Sequence, residues 1–186
     1  MFAPGKYQLI HFTRKRRHLG GDLASTVRIN GHPAEVKETA MRVLGVWVDP
    51  KLQWKEHVKQ ATSKGNAAFD AFSRITASTW GPSMQRSRLI YNGVVRLTML
   101  YGSQVWSTQG NKEPLPNSTI EPLQRVQNQC LRRITGVYKR TPTAALEKET
   151  KTPLIAQLTE LTALQHASTV RNHSVEAEIA KTLDKV

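Results

Sequence analysis

The chain has 186 residues, 39% of them hydrophobic, which suffices for one substantial domain or two small cores and excludes disorder throughout. Its 27 Lys and Arg against 14 Asp and Glu give a net charge of +13 and a pI near 10.2, a balance that favours a polyanionic partner, nucleic acid first. No run approaches the roughly eighteen apolar residues of a spanning helix and no secretory signal pattern opens the chain, so no membrane partner is expected and an intracellular setting, nuclear or cytoplasmic, is.

Residues 1–50 read as a small antiparallel sheet. "YQLIHFT" (7–13) alternates imperfectly, "STVRING" (25–31) runs into Asn30-Gly31, and "VLGVWV" (43–48) has the look of a buried strand. Asn30-Gly31 suits a two-residue hairpin turn, whose central positions both need positive φ, and would pair Thr26–Ile29 with the segment through Val36. The basic "RKRRHLGGD" (14–22) is then an exposed loop.

After Asp49-Pro50 the period becomes helical. Trp54, Val58, Ala61, Gly65, Ala68, Phe72 and Ile75 recur at spacings of three and four on one face, and the small residues in its middle predict a close helix crossing near Gly65. "STWGPS" (78–83) stops one helix and starts another, on which Ile90, Val94, Leu97 and Tyr101 mark the expected apolar face, ending near Trp106. Residues 107–118 read as a surface loop. A helix follows over 119–135 with Ile120, Leu123, Val126, Cys130 and Ile134 on one side. Next comes a short one over 141–149, capped by Thr141 with Pro142 at its first position, and then a long one over 154–180. The expected class is α+β, mainly α: 1–50 a small sheet, 51–186 a helical bundle.

Familiar carriers of chemistry are missing from the sequence. It has no phosphate-binding glycine loop with its lysine, no His-Glu-x-x-His and no Cys-x-x-Cys. The closest acid pairs, Glu147/Glu149 and Glu176/Glu178, are two residues apart on helix-like segments, where side chains diverge. Cys130, the single cysteine, cannot form an internal disulfide and falls on the apolar side of its helix, the setting of a structural thiol in a reducing compartment. Asn117-Ser118-Thr119 and Asn172-His173-Ser174 match glycosylation acceptors by chance-level pattern alone.

Four segments occur in a telling order: "FAPGKYQLIHFTRKRR", "VLGVWVDPKLQWKEHV", "LYGSQVW" and "LQRVQNQCLRRITGVYKRTPTAAL". Together, over about residues 2–160, they resemble the region downstream of the active site in reverse transcriptases of non-LTR (LINE-like) retrotransposons, especially fungal ones. The resemblance implies that residues 1–50 are the end of a palm and residues 51–186 a thumb. It places Lys6 where the family has a lysine near the incoming triphosphate, a proton donor to the leaving pyrophosphate; Tyr7 departs from the Thr or Ser usual after it. It also matches "LGVWVD", Leu44 to Asp49, to the strand of the hydrophobic hairpin called the primer grip, with Leu44, Gly45, Val46 and Trp47 as its nucleic-acid-binding residues. The family's Tyr-x-Asp-Asp motif is absent from the sequence. The full-length family enzyme works with Mg2+; this chain is expected to bind no cofactor, to bind an RNA/DNA template-primer without polymerase activity alone, and to pair with the remaining reverse transcriptase subdomains as its protein partner.

The residues themselves leave alternatives. Gly45 marks either a close backbone approach by a primer strand or plain packing, and Trp47 either stacks on a nucleotide or joins the core. Arg125, Arg132 and Arg133, seven and eight residues apart, form a stripe opposite Leu123, Cys130 and Ile134 that would lie along phosphates or simply face solvent; residues 61–140 hold only three acids, Asp70, Glu113 and Glu121. Arg14, Lys15, Arg16 and Arg17 are a phosphate-binding loop, a nuclear-localisation patch or a soluble turn. Two rival functions stand beside a nucleic-acid-binding reverse transcriptase fragment. One is a helical protein-interaction module that docks through the 84–106 and 154–180 helices. The other is a non-functional gene remnant with uncovered strand edges.

Overall fold

Short β-branched segments separated by turns give way, after Asp49, to uninterrupted helical periodicity, and the computed structural model of the chain follows that change of period. It describes residues 8–12, 27–29, 31–33, 35–37, 39–76, 81–109 and 113–172. The class is α+β, mainly α. The chain divides into two compact units, Met1–Gln60 and Ala61–Val186.

In the first unit the strands form pairs of two or three residues. Strand β1 (Gln8–Leu9) pairs with β4 (Glu35–Val36), and β2 (Arg28–Ile29) pairs antiparallel with β3 (His32–Pro33), matching Ile29 with His32. Gly31, at φ +82°, supplies the positive backbone angle of that turn; Asn30 lies outside the described residues. The β1–β4 pairing is parallel, whereas β2–β3 is antiparallel as expected.

The run "VLGVWV" is not one strand. Strand β5 (Met41–Val43) pairs antiparallel with β6 (Val46–Val48), Val43 opposite Val46, and the chain reverses at Leu44-Gly45. Both turn residues have positive φ, +47° and +92°, as a two-residue hairpin connection requires. Gly45 is therefore a turn glycine and not a glycine inside a buried strand.

Asp49 organises what comes next. Its carboxylate accepts the backbone N–H groups of Lys51 (3.0 Å), Gln53 (3.0 Å) and Trp54 (2.7 Å), while its carbonyl accepts that of Leu52 at 3.0 Å. This clamp holds Leu52 and Trp54 at φ +52° and +62° and delivers the chain into α1 (Lys55–Ile75), which begins in the first unit and continues in the second. Nδ1 of the buried His57 accepts the Trp47 backbone N–H at 3.2 Å, tying β6 to the first turn of α1.

On α1 the expected face is buried at Trp54, Val58, Ala61, Gly65 and Phe72, whereas Ile75 at its end is exposed. A Cβ on Gly65 would lie 2.6 Å from Met99 Cγ and 3.5 Å from Val126, so neighbouring helices do pass close there.

The next helix departs from expectation. From α2 (Met84–Ile90) the chain passes through a π-helical segment, Tyr91–Arg96, into α3 (Leu97–Met99), and the buried side chains are Ser87, Tyr91, Val95 and Met99. Val94, Leu97 and Tyr101, placed on the buried face by an α-helical count, are instead more than half exposed. A spacing of four drifts about 40° per step on an α-helix. The wider π turn adds a residue and cancels that drift, so a four-residue repeat stays on one side.

Gly102, left-handed at φ +67°, breaks this helix and starts α4 (Ser103–Trp106), whose fully buried Trp106 donates its indole N–H to the Tyr101 carbonyl at 2.9 Å. The stretch expected as a loop contains a small hairpin, β7 (Thr108–Gln109) with β8 (Glu113–Pro114), and then the buried Leu115.

Helix α5 (Asn117–Thr135) is the centre of the second unit, burying Ile120, Leu123, Val126, Gln127, Cys130, Leu131 and Ile134. Two glutamines on it connect its neighbours. The Tyr91 hydroxyl donates to Gln127 Oε1 at 2.7 Å, and Gln127 Nε2 donates to the Pro153 carbonyl at 2.9 Å. Gln124 accepts the Ile155 N–H at 2.9 Å and donates to Glu147 at 3.1 Å. Burial pushes the Glu147 carboxyl up, and the Gln124 hydrogen bond partly offsets this. Helix α6 (Thr143–Thr150) starts one residue later than expected, with Pro142 and not Thr141 in the capping position and no side-chain cap bond. Helix α7 (Ile155–Asn172) completes the described part of the unit, packing on α4 and α5.

Candidate nucleic-acid interface

Residues 125, 132 and 133 share a helix face because seven or eight residues are close to two whole turns. The structure brings all three arginines to one open groove of about 670 Å³ at the C-terminal end of α5. Phe69 of α1 and Asn128 and Gln129 of α5 also line it. Gly136, left-handed at φ +69°, ends α5 and turns the chain so that Val137 and Lys139 close the remaining side. Four of the nine lining residues are cationic and none is acidic.

The three arginines are held differently. Arg125 pairs with Glu121 one turn back, Nη2 to Oε1 at 2.7 Å, with both side chains more than half exposed. An exposed pair of this kind contributes about 1 kcal/mol or less, so a phosphate can compete for the guanidinium. Arg133 donates to the Ser73 carbonyl near the end of α1 at 2.7 Å, which fixes its head at the groove wall. Arg132 reaches back to the Asn128 carbonyl at 3.4 Å. Both stand in the last turn of α5, where a cation also favours the helix dipole.

The hairpin residues lie in the first unit. Leu44 stands at the tip, 90% exposed, Val46 is buried and Trp47 is half-buried. Lys6 and the Arg14, Lys15, Arg16, Arg17 cluster fall outside the described residues. Sequence reasoning passed over Phe69, Asn128, Gln129, Val137 and Lys139. The one available signal was the glycine stop followed by "VYKR", which returns cations to the end of their own helix.

Among the described residues no group of three or more His, Cys, Asp or Glu side chains comes together as a metal site. Among the same residues no helix is long and apolar enough to cross a membrane.

Fold and groove thus define a mainly helical α+β chain with a groove at one helix end whose lining is cationic. No family model matches the chain, and no solved structure does. It is 28% identical over 83 residues to a 115 kDa protein ascribed to the type-1 retrotransposable element R1DM of Drosophila melanogaster; the match covers 45% of this chain and 8% of that protein. This similarity supports a retrotransposon-related origin.

Proposed function

We propose that the chain is a reverse transcriptase fragment of a non-LTR retrotransposon, the end of a palm followed by a thumb, which binds template-primer nucleic acid through its phosphates and does not polymerise by itself. The observation that carries this reading is the groove at the end of α5, whose lining holds Arg125, Arg132, Arg133 and Lys139 and no acid, the one carboxylate paired with them among the described residues being the exposed Glu121 on Arg125. The β5–β6 hairpin supports it in a second way, because the resemblance puts a hydrophobic hairpin, the primer grip, in this stretch and the chain pairs Met41–Val43 with Val46–Val48 there.

Phosphate binding has a measurable signature. Four phosphate contacts predict a log–log salt slope of about −3.6, a loss of roughly a hundredfold in affinity between 50 and 200 mM salt. Fluorescence anisotropy with a labelled primer-template should show this slope. Arg125→Ala with Lys139→Ala, both exposed positions, should flatten it by about two and weaken every sequence alike. Affinity indifferent to salt sinks the proposal.

A second reading has its own observation. Leu89, Val94, Leu97, Tyr101 and Val105 are all more than half exposed along α2 to α4, as are Leu161 and Leu164 on α7. A helical protein-interaction module would use such surface. Specific association at low micromolar concentration without nucleic acid would favour it.

A further inference from the structure

The α5 groove is more than cationic. Phe69 and Val137 give its lining an apolar part, and between the lining residues Val137 and Lys139 stands Tyr138, 89% exposed and packed on almost nothing. A turn closed by the Thr141 N–H on the Tyr138 carbonyl, at 3.0 Å, fixes the backbone there while leaving the ring in water. Duplex nucleic acid turns its bases inward and would offer this ring only sugar and phosphate. An unpaired strand offers a base face to the aromatic while its phosphates meet the arginines.

Resting on the phosphate-binding reading above, we infer that the α5 groove takes single-stranded nucleic acid, Tyr138 stacking on a base whose flanking phosphates are held by Arg125, Arg132 and Lys139. In a template-primer this selects the unpaired template over the paired stem. Stacking on one aromatic raises affinity about 5- to 150-fold and tolerates any base, so selection is by strandedness and not by sequence.

The full chain is titrated by anisotropy with single-stranded DNA, single-stranded RNA and a blunt duplex, each of about ten nucleotides, at one salt concentration. The single strands should bind at least about fivefold more tightly than the duplex. Tyr138→Ala should remove that advantage while leaving duplex affinity and salt slope unchanged, and Tyr138→Phe should restore it. Preference for only one of the two single strands identifies the sugar the groove accepts and supports the inference. Equal affinity for duplex and single strands, or a Tyr138→Ala variant that leaves the preference intact, overturns this inference and leaves the phosphate-binding reading standing. Failure of all three probes to bind overturns both. Because the Tyr138 ring is almost wholly in solvent, the variant should melt with the parent.

Discussion

Cys130 shows how burial decides what a reactive group does. Its side chain has no exposed surface and desolvation pushes its thiol up to about 12, so at neutral pH almost none of it is the nucleophilic thiolate. A disulfide reagent should leave folded protein unlabelled and titrate one thiol once denaturant is added. The linkage has a definite sign: the folded thiol keeps its proton above the ordinary value of about 8.5, where the unfolded thiol loses it, so stability falls as pH rises from there towards 12. Gly65 is set by contact instead. Alanine gains about 1 kcal/mol of helix propensity, but its Cβ would sit 2.6 Å from Cγ and 2.9 Å from Sδ of the fully buried Met99. Overpacking of about 1–3 kcal/mol outweighs the gain, so Gly65→Ala should lower the urea midpoint by about 1 kcal/mol in equivalent stability. Combined with Met99→Ala it should cost less than the sum of the two.

At the scale of elements, the β5–β6 hairpin and the corner after it carry three non-glycine residues in the left-handed region, Leu44, Leu52 and Trp54. Each costs about 1–2 kcal/mol relative to ordinary backbone. Leu44→Asn suits the turn better and should stabilise the protein by roughly 1 kcal/mol in thermal melts. Under the proposed function the same change should weaken template-primer binding, because it removes the exposed apolar tip; a more stable variant that binds equally well would argue against a grip at this hairpin. Asp49 holds the corner through three backbone N–H groups, and Asp49→Ala should cost about 1.5–3 kcal/mol. The helix with the π segment teaches a different lesson. Its sequence offers two apolar rows, Ile90/Val94/Leu97/Tyr101 and Tyr91/Val95/Met99, and the α-helical period selects the wrong one. Nothing local announces the extra residue in the turn; the packing of Tyr91 and Met99 selects it.

At the scale of the molecule, the second unit is joined through polar side chains on its central helix as well as through apolar burial. Tyr91, Gln127 and the Pro153 carbonyl form a chain from the π segment across α5 to the approach of α7. Tyr91→Phe leaves the fully buried Gln127 oxygen without its donor and should cost about 1–3 kcal/mol, lowering the denaturation midpoint without changing the m-value. Gln127→Leu alone should be worse, since it strands both the hydroxyl and the carbonyl. The net charge of +13 belongs to this scale too, and four of its cations are gathered in the lining of one groove.

The amphipathic face of α1, the buried side of α5 and the α+β class were legible in the sequence alone, because periodicity reports which residues must leave water. So was the retrotransposon resemblance, which rests on the order of motifs. The hairpin reversal at Leu44-Gly45 was half legible: the glycine permits it, but a leucine at positive φ contradicts local preference, and only strand pairing enforces it. The choice between the two rows around Tyr91, the roles of Gln124 and Gln127, and the gathering of Phe69, Val137 and Lys139 beside the three arginines were decided by tertiary structure. Each depends on groups far apart in the chain meeting in space, and a one-dimensional pattern carries no record of which partner a buried or charged side chain will find.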